Sequence, residues 1–302
     1  MRRAALALTL LALAGCHSAP PSLLVLQTDF GLKDGAVATM RGVALAVEPG
    51  LQIHDLTHEI PPFDIWQAAY RLQQTSPYWP EATVFVSVVD PGVGTDRLPI
   101  VACDRDGHLF VTPDNGTLTL LLDADAVTSV RVIETARHQR PGSSESHTFH
   151  GRDVFAIVGA KLAAGVIDFA DVGPLLATNK LTRIGHPLAL AQPKDTGWQL
   201  SGFIPVLDVQ YGNVWTNLPS ALLQQHGLHT GARLFVRIYD GEREVFSGEL
   251  PFVRTFGDVT QGQPLGYLNS LGNLAFALNV GDFARVHSIG SGPQWRVLVT
   301  AK

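Results

Sequence analysis

Hydrophobic and polar positions change rhythm twice along the chain. After a leader-like start, residues 23–28 (LLVLQT) form a short apolar run that ends in Asp29-Phe30-Gly31. Residues 35–47 then carry apolar side chains at helical spacing until Pro49-Gly50 stops them. Residues 52–56 read as a short strand, and residues 65–72, after Pro61-Pro62, as a second helix. The run at 84–89 (VFVSVV) is apolar or small on both alternating faces, which predicts a strand buried on both sides in a parallel sheet. A hairpin is expected across Asp104-Arg105-Asp106-Gly107, and helices over 116–122 and 154–164. This alternation predicts an α/β domain over residues 21–185 with a mainly parallel, Rossmann-like sheet.

The rhythm changes again near His186. Residues 188–198 (LALAQPKDTGW) mix proline with polar side chains and are expected to link two domains. Short β-rich runs follow at 203–209, 233–239, 243–247, 274–278 and 295–299, with glycines between them and no long helical pattern. They predict a small all-β domain, barrel-like or a sandwich, over residues 196–302.

The first twenty residues fit neither domain. Arg2 and Arg3 precede an apolar run at 4–14 that is too short to span a bilayer. Leu13-Ala14-Gly15-Cys16 matches a bacterial lipobox, with Cys16 as the lipidated residue. Residues 1–20 are therefore expected to be a lipoprotein signal and linker, and the protein to be exported and held at the membrane by its N-terminal lipid. His17, in place of Asp, favours the outer membrane of a Gram-negative host. The other cysteine, Cys103, sits in an apolar run and would have no partner for an internal disulfide after processing. A core must then hold the fold, and 46% hydrophobic residues can supply one. The 22 basic and 27 acidic side chains give a net charge of −5, and losing Arg2 and Arg3 leaves 20 against 27, or −7. With no basic run, nucleic acid is not an expected partner.

Candidate chemistry gathers where strands end. The clusters are TDFGLKD (residues 28–34), DPGVGTDR (90–97), TFHGRD (148–153) and DVQYGNVWTN (208–217), with a weaker PDNG at 113–116. Each alone has a structural explanation: Asp29 and Asp34 can cap the following helix, PDNG is an ordinary turn, and Asp153 can face a helix N-terminus. Together they occupy loops at the carboxyl edge of one sheet, where α/β proteins bind ligands. His54, Asp55, His58 and Glu59 match no usual zinc spacing, so no metal is expected there. GxGxxG, P-loop and GxSxG patterns are missing from the sequence.

Taken in order with HDLTHEIPPFDIWQAAY (54–70) and TVFVSVVDPGVGTDR (83–97), these motifs resemble the S-adenosyl-L-methionine (SAM) hydroxide adenosyltransferase family. Its members are adenosine-forming SAM hydrolases, related to fluorinase and chlorinase. The resemblance runs from about Leu24 to the C-terminus and implies displacement of methionine from ribose C5′ of SAM by water or hydroxide. It implies no cofactor, because SAM is the substrate. Asp90, Arg97 and His150 match the hydrolases' triad. Asp29 matches the acceptor of the ribose hydroxyls, Asp34, Asp208 and Ser270 the contacts to the methionine part, and Asn213 the residue that reads adenine. Phe63 and Phe256 are expected as flanking walls. The resemblance also implies a homotrimer whose sites lie between the N-terminal domain of one subunit and the C-terminal domain of the next. The halogenases carry Tyr at the position of Asp90 and Tyr-Ser at His150-Gly151. They also have Arg at Leu271, so the contact that this Arg makes to the methionine carboxylate is not expected here. A lipid-anchored SAM- or nucleoside-binding protein without turnover, or a hydrolase of another adenosyl compound, are the alternatives.

Overall fold

The structure is a computed structural model that describes residues 23–195 and 197–301, so the expected signal and Cys16 lie outside the described residues. Seven strands form the N-terminal sheet: β1 (Leu23–Thr28), β2 (Gln52–Thr57), β3 (Val84–Val88), β4 (Pro99–Asp104), β5 (Leu109–Pro113), β6 (Val127–Val132) and β7 (Leu175–Leu176). Their order is β2-β1-β3-β5-β4-β6-β7. As its composition predicts, β3 is wholly buried, and it pairs in parallel with β1 on one side and β5 on the other. The expectation of a mainly parallel sheet needs correcting. Three of the six pairings are parallel and three antiparallel. The β4–β5 hairpin places one reversed strand between β5 and β6, and the two-residue β7 adds the third antiparallel pairing.

Helices Ala36–Val47 and Ile157–Ala163 bury their apolar faces in one core with β1 and β3. At Gly159 the helix comes so close to β3 that a Cβ would stand 2.3 Å from Val86 Cγ2, so only glycine fits. The helix expected over 154–164 begins instead as a π-helical turn, Gly151–Ala156, and the one expected over 116–122 is the short Thr119–Asp123. Wide turns of this kind gather at functional sites. Parallel pairing of Thr28 with Val88 brings the carboxyl ends of β1 and β3 side by side, so Asp29 and Asp90 emerge at the same edge.

The C-terminal region holds β8 (Leu190–Lys194), β9 (Gly197–Ile204), β10 (Val206–Asp208), β11 (Asn213–Pro219), β12 (Arg233–Asp240), β13 (Arg243–Pro251), β14 (Pro264–Leu268), β15 (Asn273–Leu278) and β16 (Gly292–Ala301). They form a four-stranded sheet, β10-β11-β15-β14, and a five-stranded sheet, β13-β12-β16-β9-β8. Both sheets face one core that includes Leu200, Val214, Val236, Phe276 and Val297. A bridge between Phe252 and Gly266 joins them at one margin. The segment expected to be a plain linker carries β8, because its residues add an edge to β9 despite Pro193. Helix Ile65–Thr75 connects the domains: Trp66 Nε1 donates to Pro205 O at 2.9 Å, and Arg71 Nη2 to Leu207 O at 3.0 Å.

Candidate active site

Asp90 ends the β3 segment, and the following Pro-Gly-Val-Gly turn folds the chain back, so that Val93 N donates to Asp90 O. Arg97 therefore returns to its own strand tip. Its Nε lies 3.0 and 3.1 Å from the two Asp90 carboxylate oxygens, and Nη2 lies 2.5 Å from Oδ2. The same Nη2 is 2.8 Å from His150 Nδ1. Behind the guanidinium stands the Phe155 ring, 5.2 Å from Cζ. The Arg97 and Asp90 side chains are only 9% and 5% exposed, so water screens this pair little.

This geometry fixes the proton on His150. A guanidinium can only donate, so Nδ1 must accept and the neutral ring carries its hydrogen on Nε2. Burial pushes the imidazole below its ordinary value, and the neighbouring Arg97 charge pushes the same way, against the smaller opposing pull of Asp90. His150 is thus neutral at pH 7. It enters from the N-terminal end of the π-helical turn. At Gly151 a Cβ would stand 3.1 Å from the Phe30 ring, so the glycine lets Phe30 and Phe149 pack edge to face beneath the site.

Asp29, Phe63, Asp90, Thr148, Phe149 and His150 line one cavity of about 480 Å³, with Arg97 behind its wall. Asp29 Oδ2 accepts the Phe63 N–H at 2.9 Å. Phe63 holds a φ of +69°, unusual for a bulky residue, and the residue is 71% exposed. Local strain of this kind clusters at ligand sites.

Asp208, Asn213, Phe256 and Ser270 line a second cavity of about 680 Å³ in the C-terminal domain. Asn213 Nδ2 donates to Asp208 Oδ2 at 3.0 Å, which turns the amide oxygen away from the carboxylate. Sequence reasoning did not single out Tyr211, Trp215 and Tyr267, which also line this space. The first two fall inside the YGNVWTN motif, whose aromatic content was the available signal. The Tyr267 ring lies tilted against Phe256, centroids 4.8 Å apart, and burial pushes its hydroxyl up to about 12. The two cavities share no lining residue. Within one chain, Phe63 and Phe256 therefore stand in different cavities.

Asp34 lines neither cavity; exposed, it accepts the Ala36 N–H at 2.8 Å, just ahead of the first helix. The HDLTHE segment gathers no metal site. His58 is bonded to Thr28 and Asp55, while the His54 ring lies 5.4 Å from Trp79. Among the described residues, Asp104, Asp106 and His108 bring ligand atoms within 4.8 Å of one another. They occupy the β4–β5 turn, at the sheet edge opposite Asp90, and Asp104 Oδ1 already accepts two backbone N–H groups there.

Residues 24–173 match the SAM hydroxide adenosyltransferase N-terminal domain and residues 202–296 its C-terminal domain. The chain belongs to this family. It is 38% identical to an (R)-S-adenosyl-L-methionine hydrolase from Salinispora tropica over 284 residues, covering 92% of this chain and 98% of the relative. A fluorinase from an Actinoplanes species is 29% identical, with 89% of this chain covered and 95% of the relative. A crystal structure of an uncharacterized conserved protein from Thermotoga maritima superposes with a TM-score of 0.80 at 32% identity, covering 92% of this chain and 99% of that one.

Proposed function

We propose that this protein hydrolyses SAM to adenosine and L-methionine. A water held against Asp90 and His150 attacks ribose C5′ in line. The new O–C5′ bond forms as the C5′–S bond breaks, and methionine leaves as a neutral thioether that needs no acid. The water's proton goes to Asp90. His150 Nδ1 is occupied by Arg97 and Nε2 carries the ring hydrogen, so Asp90 is the acceptor at this part of the wall. Arg97 fixes both partners without facing the substrate itself, and holding the water in line supplies much of the acceleration. The observation that carries this reading is the Asp90–Arg97–His150 cluster, with its acid and imidazole lining the cavity and its guanidinium behind. SAM incubated with the protein lacking residues 1–16 yields adenosine and methionine, and 18O from labelled water enters the adenosine 5′-hydroxyl. Binding of SAM without adenosine formation would overturn the reading in favour of a binding protein.

Asp29 takes the ribose hydroxyls, Asp208 with Ser270 the amino-acid end, and Asn213 the adenine edge, between Phe63 and Phe256. In that reading the two cavities close on each other across subunits of a homotrimer. The apolar side chains exposed at their rims support it: Phe63 on one side, Tyr211 (66% exposed) and Val280 (77%) on the other. Sedimentation gives a trimer mass. Mixing Asp90→Asn chains, which lack turnover, with Asp208→Asn chains, which work poorly at sub-saturating SAM, then unfolding and refolding them together, restores part of the activity at low SAM. No recovery from correctly assembled mixtures would place the whole site in one chain. The N-terminal pattern around Cys16 supports an enzyme held outside the cytoplasm on a lipid anchor, and Cys16→Ala is expected to release it from the membrane fraction. No cofactor enters this scheme.

A further inference from the structure

The HDLTHE segment is unusual among the strand-tip motifs because its histidine turns inward. His58 is 3% exposed and lies between Thr28, the last residue of β1, and Asp55, near the end of β2. His58 Nδ1 is 2.7 Å from Thr28 Oγ1, and Nε2 is 3.0 Å from Asp55 Oδ1. Asp55 is paired in turn with Arg41 on the first helix. The hydrogens run one way. The Asp55 carboxylate can only accept, so Nε2 carries the ring hydrogen; Nδ1 of the neutral ring then accepts from Thr28 Oγ1, which itself accepts the Phe30 N–H at 3.2 Å. The main chain of His58 adds a second tie, since its carbonyl accepts the Gly31 N–H at 2.7 Å.

Two residues, Asp29 and Phe30, stand between these ties. Asp29 follows Thr28 directly, and Phe30 and Gly31 complete the loop that His58 grips through Thr28 Oγ1 and its own carbonyl. We infer that His58 is a positioning residue that aims the Asp29 carboxylate into the cavity, through the Arg41–Asp55–His58–Thr28 chain of hydrogen bonds. This rests on the reading of Asp29 as acceptor of the ribose hydroxyls. A carboxylate taking two hydroxyls needs both oxygens held in direction, and Phe63 N–H fixes only one of them. The relay, buried at His58 and Thr28, supplies the rest by locking the backbone on both sides of Asp29. A plain core histidine would stabilise the fold without affecting which nucleoside binds.

The difference is measurable with full-length protein by calorimetry, comparing adenosine with 2′,3′-dideoxyadenosine. In the wild type, loss of the hydroxyls weakens binding by roughly tenfold or more, the range for hydrogen bonds to a charged group. Thr28→Val keeps the β-branched shape but removes the hydroxyl, and the gap shrinks to about threefold or less, while Thr28→Ser restores it. Asp55→Asn, at a side chain one-third exposed, is the milder second test and narrows the gap in the same direction. If Thr28→Val and Asp55→Asn weaken both ligands equally, or leave the gap unchanged, His58 has only a structural role and the inference falls. A wild type that binds both ligands alike would instead remove the ribose role of Asp29, and the inference with it. SAM turnover, measured separately, tests the proposed reaction independently of either result.

Discussion

The two cavities are made of different material. In the N-terminal one, charged groups are locked to each other before any ligand arrives: Arg97 holds Asp90 and His150, and Phe63 N–H holds Asp29. In the C-terminal one, Asp208 is the one carboxylate, neutral amides and aromatic faces make up most of the rest of the wall, and a single amide restrains Asp208. In the proposed reaction the first acts on a bond and the second holds what is attached to it. Preorganised charge costs stability in the free protein but nothing at the moment of reaction. An aromatic wall tolerates a cation and a base with little prior order.

Substitutions should separate the two. Asp90→Asn keeps the shape and the Arg97 contact on one oxygen but removes the proton acceptor, so kcat falls by about 10²–10⁴-fold, the range for one general base, with adenosine affinity little changed. Product analysis by single turnover checks it; an equal loss in affinity would make Asp90 a binding group. Asp208→Asn does the reverse. KM for SAM rises roughly 10- to 100-fold, as for loss of a charged hydrogen bond, while kcat stays within a few-fold.

The lowered His150 value gives the first cavity an acid limit. Protonated His150 carries hydrogens on both nitrogens and can no longer accept from Arg97. Its value lies below the ordinary 6.5, so kcat/KM holds as pH drops to that point and then falls, with an acid midpoint under 6.5. The sign for stability is the same: the unfolded chain binds the proton more readily, so this contribution is present above the ordinary value and lost as pH falls toward the lowered one. A midpoint above 6.5 would contradict the burial of the imidazole. The smallest effect is expected behind the site. Phe155→Leu removes the ring under Arg97, worth about 0.5–2 kcal/mol, and lowers kcat/KM by roughly 2- to 30-fold without changing the Asp208-dependent part of KM.

Much of this was legible in the sequence because strand β3 is unambiguous: an apolar run on both faces ending in a carboxylate can only be an inner strand with its acid at an edge. Asp29 and Asp90 were placed at that edge by the same logic, and parallel register then set them side by side. The spacing between Asp90 and Arg97 showed a turn but not that the guanidinium would fold behind the wall; that depends on Phe155, distant in sequence. The π-helical turn at Gly151–Ala156 was not legible, since its apolar spacing is that of an ordinary helix. Likewise β8 looked like a linker because edge strands tolerate proline and polar residues, and its pairing with β9 is a tertiary fact. The separation of Phe63 from Phe256 could not be read from motifs, which give order along the chain and not which cavity a side chain enters.

Strand β16 has a consequence for how the molecule is made. It lies between β12 and β9, at the middle of the five-stranded sheet, although it is the final element described. As the chain emerges from the ribosome or a translocation channel, the N-terminal sheet can close once β7 is out. The five-stranded sheet must wait for residues 292–301, with β9 and β12 each offering a bare hydrogen-bonding edge in the meantime. The half that carries the Asp90–Arg97–His150 cluster is therefore assembled early. The half that carries the Asp208 cavity is completed only when β16 slides into the gap.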